Sequence, residues 1–69
     1  STEQNIKTAV AEIVSVKPEL VDFEVVSSQT KDYVQHQEQT LIMTNGIKNI
    51  QVVGHIDKKT HRYVALEQK

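Results

Sequence analysis

Apolar side chains recur on two different periods along this chain, and the change of period divides it into a helix followed by strands. Ile6, Ala9, Val10, Ile13 and Val14 fall at i, i+3, i+4, i+7 and i+8, the spacing of one stripe on a helix of 3.6 residues per turn. Lys7, Thr8, Glu12 and Ser15 lie off that stripe. Either Ser1 or Thr2 can cap the helix, and Ser1 with Gln4 has the spacing of a capping box. Glu3 in the first turn and Lys17 just past the last suit the helix dipole. Pro18 closes the helix, because the residue before a proline is pushed toward extended geometry. Lys17-Pro18-Glu19-Leu20 then reads as a connector able to form one helical turn with the proline in its first position.

Beyond the connector the period shortens to two. Val21, Phe23 and Val25 alternate with Asp22 and Glu24, as in a strand with one wet face that would lie against the helix stripe. Ser27 to Asp32 is polar and reads as a loop. Tyr33 to Gln39 contains good helix formers, yet it runs unbroken into Thr40 to Thr44 and reads as one long strand, with a short helix as the alternative. Asn45-Gly46 supplies the residues that a two-residue type I′ turn requires. It predicts a further strand from Ile47 to Asp57 and, after a turn at Lys58-Lys59, a last one from His61 to Glu67. That register sets Leu41 opposite Ile50 and Ile42 opposite Asn49. Across the second turn it sets Val52 opposite Ala65, Val53 opposite Val64, and Tyr63 over Gly54, where a missing side chain leaves room for the ring.

These elements predict a single α+β domain over residues 1–69, an N-terminal amphipathic helix packed on a small antiparallel sheet of about four strands (αββββ). One helix covers one face of a sheet. The other face is therefore a candidate contact for a partner or a second copy of the chain, with Leu41, Ile42 and Met43 as the candidate partner-contact strand.

Composition sharpens this picture in one respect. Apolar residues are 38% of the chain, and Phe23, Tyr33 and Tyr63 are the only aromatics, so the core is thin for a domain whose size buries only about 60% of its unfolded surface. There is no cysteine to staple it, which removes the secreted disulfide scaffold and favours an intracellular, cytoplasmic protein that gains stability by self-association. No apolar run is long enough to span a membrane, and the polar start does not resemble a signal peptide.

Charge divides the chain. Ser1 to Leu41 carries three lysines against seven carboxylates, whereas Ile42 to Lys69 carries Lys48, Lys58, Lys59, Arg62 and Lys69 against Asp57 and Glu67. Lys48, Lys58, Lys59 and Arg62 are the candidate contacts for an anion or nucleic acid. Candidate chemistry is otherwise confined to the histidines. The predicted register places His36 across from His55 with Glu38 on the same side, a ligand set that zinc would accept. His55 and His61 with Arg62 and Tyr63 are the residue types of an acid–base nuclease, but His61 and Arg62 point oppositely on a strand. Gly46 and Gly54, the only glycines, form no phosphate loop.

The segment Thr44 to Leu66, with Asn45-Gly46-Ile47 after a strand and a helix upstream, resembles the inner strands of Sm-like RNA-binding proteins. That resemblance implies RNA contact, but a five-stranded barrel needs further strands after Leu66, and a base-stacking platform needs more than one tyrosine among the basic residues. The stretch VKPELVDFE after the helix resembles the start of acyl carrier proteins, whose Asp-Ser-Leu attachment site is absent here. The reading that remains is a small module without catalytic residues, cofactor or metal. It would bind another protein or itself through its sheet, the alternative being a small nucleic-acid-binding module that uses the basic C-terminal hairpin.

Overall fold

The computed structural model describes residues 2–69, which form a helix α1 (Thr2–Val16), a 3-10 turn (Pro18–Leu20) and four strands: β1 (Glu24–Asp32), β2 (His36–Thr44), β3 (Asn49–Asp57) and β4 (Tyr63–Gln68). The strands form one antiparallel sheet in the order β1-β2-β3-β4. The α+β architecture read from the sequence is the one observed. Helix α1 lies as its stripe requires, with Ala9 and Ile13 buried and Ile6, Val10 and Val14 half-buried. The cap expected from Ser1 or Thr2 rests on side chains outside the described residues. Pro18 opens the 3-10 turn, where its missing N–H is not needed, and the turn drops Leu20 into the core.

The core is a single cluster on the helix side of the sheet. Ala9, Ile13 and Leu20 meet Leu41 and Met43 of β2 and Ile50 and Val52 of β3, with Phe23, Val25, Tyr63 and Leu66 packed around them. Fully burying each of the large aliphatic side chains stabilises the fold by about 1.5–3 kcal/mol.

Element boundaries depart from the sequence reading around β1. Val21 ends the 3-10 turn, donating its N–H to the Pro18 carbonyl, and is exposed instead of facing the helix. The polar run Ser27 to Asp32 is strand, paired residue by residue from Ser27↔Ile42 to Asp32↔Gln37. It lacks an alternating apolar signal because most of its side chains are exposed. Tyr33 to Gln35 is the connection between β1 and β2, closed by a hydrogen bond from the Tyr33 N–H to the His36 carbonyl (2.9 Å).

Both later turns are longer than predicted. Leu41 pairs with Val52 and Ile42 with Gln51, so the β2–β3 register lies two residues from the one a tight Asn-Gly turn gives. The even shift keeps every side chain on its expected face. Of the loop residues only Gly46 takes a positive φ (90°), so no type I′ turn forms. Asn45 instead uses its side-chain oxygen to accept the N–H groups of Ile47 and Lys48, each at 2.9 Å. At the β3–β4 turn, Asp57 accepts from the Thr60 N–H with Oδ2 (3.1 Å) and from the His61 N–H with its carbonyl (2.8 Å). His61 itself adopts a left-handed φ of 62°.

A bulge then leaves Val64 out of the ladder, so Val52 pairs with Gln68 and Val53 with Glu67, where Ala65 and Val64 were expected. Val64 is exposed. Gly54 pairs with Leu66, yet the Tyr63 ring does lie over it, reached on the diagonal: a Cβ on Gly54 would collide with Tyr63 Cε1 and stand 2.9 Å from Cδ1.

That close approach predicts that Gly54→Ala destabilises the domain by about 1–3 kcal/mol, because the ring must leave its seat. Urea unfolding should show a lowered midpoint, and the loss should shrink when Tyr63 is also replaced by alanine. An undiminished loss in the double variant would place the cost in the backbone instead of the ring.

Candidate functional site

Pairing divides the sheet's side chains into two faces. Those on the same side as Leu41, Met43, Ile50 and Val52, two residues along a strand or directly opposite, face the helix, and the rest form an open face that includes Gln29, Lys31, His36, Glu38, Thr40, Ile42, Gln51, Val53 and His55. The open face is mostly polar. Val53, one of its two central apolar residues with Ile42, is already only 5% exposed within one chain. Of the expected partner-contact residues, Leu41 (1%) and Met43 (0%) are core side chains on the helix side. Only Ile42, half-buried on the open face, remains available to a partner, because alternate residues of a central strand point to opposite faces. The four expected basic contacts are also separated. Lys48 lies in the β2–β3 loop and Lys58, Lys59 and Arg62 in the β3–β4 turn, at opposite ends of strands about 30 Å long.

Lys58 is engaged in holding turns together. Its Nζ lies 2.9 Å from Asp32 Oδ1, which also accepts from Gln37 Nε2 at 3.1 Å. The hydrogen bond from Lys58, then that from Gln37, holds the Asp32 carboxyl below its ordinary value. The Lys58 N–H also donates to the Gln35 carbonyl (3.2 Å), tying the β1–β2 connection to the β3–β4 turn.

On the open face the histidines are neighbours in a different register from the one expected. His36 pairs with Asp57 and Glu38 with His55. The His36 and His55 rings stand 6.0 Å apart at 44°, and His36 stacks on Tyr33 at 4.6 Å and 11°, with Lys31 Nζ 5.7 Å from the Tyr33 ring centre. Among the described residues, no group of three or more histidine, aspartate or glutamate side chains is placed to hold a metal ion. His61 lines the helix side of the sheet while His55 lies on the open face, so the two are not assembled as an acid–base pair.

Two features carry more than these clusters. The first is the edge strand β1, nine residues long and paired only on its β2 side, with every residue from Gln29 to Asp32 exposed. The other edge, β4, has six residues and is broken by the Val64 bulge. The second is a cleft of about 370 Å³ between the N-terminal half of α1 and the far end of the sheet. Here Gln39, 6% exposed, accepts a hydrogen bond at Oε1 from the Tyr63 hydroxyl. Burial, and then the Glu12 carboxylate, push the Tyr63 phenol up to about 12. The sequence held a signal for this cleft: Gln37 and Gln39 continue the alternation of Leu41 and Met43 on the same face, so polar groups occupy positions that a fully covered sheet would fill with apolar ones.

No protein-family model, curated protein or solved structure matches the chain. Among the described residues no helix is long and apolar enough to cross a membrane.

Because folding raises the Tyr63 value from 10.0 to about 12, folding favours the protonated phenol. That contribution is whole below pH 10 and is lost as pH rises through about 12. The difference in phenolate absorbance between the wild type and Tyr63→Phe, titrated with base, should therefore rise near pH 12, and a difference that rises at the ordinary tyrosine value would refute the buried setting.

Proposed function

We propose that this protein is a non-catalytic interaction module that works through its sheet edge, and that its first partner is a second copy of itself joined by antiparallel pairing of β1 with β1. The observation that carries the reading is the long, one-sided β1 strand, whose outward N–H and C=O groups have no strand beside them. A partner at the edge suits this chain better than one on the open face, where too little apolar surface is exposed to drive association.

Charge supports the same arrangement. Glu24 begins β1 and Lys31 lies near its end, both on the open face. A two-fold axis through the strand sets the acidic end of each copy beside the basic end of the other. The thin core gives such pairing a second benefit, since a dimer adds backbone hydrogen bonds and buried area to a marginal domain. The basic residues of the C-terminal hairpin favour nucleic acid less, being divided between two ends with Lys58 held by Asp32.

Consecutive residues of β1 direct their amides alternately to β2 and outward. Of Gln29→Pro and Thr30→Pro, one should therefore lose a ladder bond and about 3 kcal/mol of stability, and the other should keep the fold. The fold-keeping variant should be monomeric by native mass spectrometry under conditions where the wild type is dimeric. Lys31→Glu should weaken the dimer and added Glu24→Lys restore it. A wild type that stays monomeric at every accessible concentration, or a fold-keeping proline variant that still dimerises, would overturn the proposal.

A further inference from the structure

The cleft beneath the N-terminal half of α1 has a chemistry that the edge-strand reading does not use. Helix residues Ala9 and Glu12 form one wall, and Thr30, Gln39, Ile56 and Tyr63 of the sheet form the other. Gln39 is more than nine-tenths buried there, with its carbonyl oxygen taken by the Tyr63 hydroxyl. A buried amide of this kind is held in one orientation, and the remaining lining hydroxyls and amides can bond a guest that replaces water.

Charge narrows the guest. Glu12 is half-buried on the cleft wall and has no ion-pair partner among the described residues. Its negative field reaches the Tyr63 hydroxyl and helps to raise that phenol. Among the described residues no lysine or arginine lines the cleft, and its ionisable side chains besides Glu12 are His61 and Tyr63. A partly desolvated carboxylate without a counter-charge attracts a cation more strongly than one in open water does. Ile6 and Ile56, both half-buried, give that cation's body an apolar surface.

We propose that this cleft binds a small organic cation, a primary ammonium or guanidinium group on a short apolar body, with the charged head at Glu12 and the body along Ile6 and Ile56. An anionic ligand is disfavoured by the same carboxylate. A neutral one forgoes the charge-assisted hydrogen bond that Glu12 offers.

The test is titration of the isotopically labelled wild-type protein with butylammonium and butylguanidinium, followed by amide chemical shifts, with butanol and butyrate as the neutral and anionic counterparts. Saturable shifts at Ala9, Thr30 and Ile56 are expected with the two cations, and binding about tenfold weaker or absent with the counterparts. Glu12→Gln, whose side chain has nearly the same shape, should keep the spectrum of the fold and weaken the cations by about tenfold. The proposal is overturned if neither cation gives saturable shifts in the cleft, if butanol binds as well as the cations, or if Glu12→Gln binds them undiminished. These measurements use the wild-type chain whether or not it dimerises, so their outcome is separate from that of the edge-strand reading.

Discussion

The partial cover that one helix gives to the sheet is the constraint on which the rest of this structure depends. Helix α1 has 15 residues and is therefore about 22 Å long, while strands of nine residues extend about 30 Å. Where helix and sheet overlap closely, Ala9, Ile13 and Leu20 bury Leu41, Met43, Ile50 and Val52. Where they do not, the helix-facing positions of the sheet become Ser28, Thr30, Gln37 and Gln39, and a polar cleft replaces the core. Core and cleft are thus two ends of the same contact.

The same shortage of cover explains β1. Over Gln29 to Asp32 its side chains are exposed, so the strand is held there by backbone pairing to β2 and by the Asp32–Lys58 ion pair, not by burial. A surface ion pair of this kind contributes little by itself, but this one is joined by Gln37 and by the Lys58–Gln35 backbone bond. Together they fasten the two turns at that end of the sheet. Stability in this domain is therefore uneven, with the central pair β2–β3 carrying the core and the long edge strand supported from one side.

Tyr63 links the two sides of this economy. Its ring fills the space that Gly54 leaves, its hydroxyl satisfies buried Gln39, and its phenol senses Glu12 across the cleft. A glycine in a central strand, a glutamine on the core side and a bulge in the last strand would each weaken a sheet if taken separately. Here the ring fills the space above the glycine and brings its hydroxyl to the glutamine, and the bulge sets Leu66 opposite the same glycine.

The sequence by itself determined the helix, through the stripe from Ile6 to Val14; its stop, through Pro18; and the antiparallel hairpins, through alternating β-formers on either side of Asn45-Gly46. Those signals are local, since period and punctuation act within a few residues. Registers were decided elsewhere: Asn45 and Asp57 use their own oxygens to build longer turns than the sequence suggests, and the even slip at β2–β3 left its faces intact while the bulge at Val64 reset those of β4. Only the tertiary structure could make a strand of polar Ser27 to Asp32, because its order comes from pairing with β2. Only it could bury Leu41 and Met43 while leaving Ile42 outside, and bring Glu12, Gln39 and Tyr63 to one cleft. These residues are distant in sequence, and no local pattern records how far a single helix reaches across the sheet it covers.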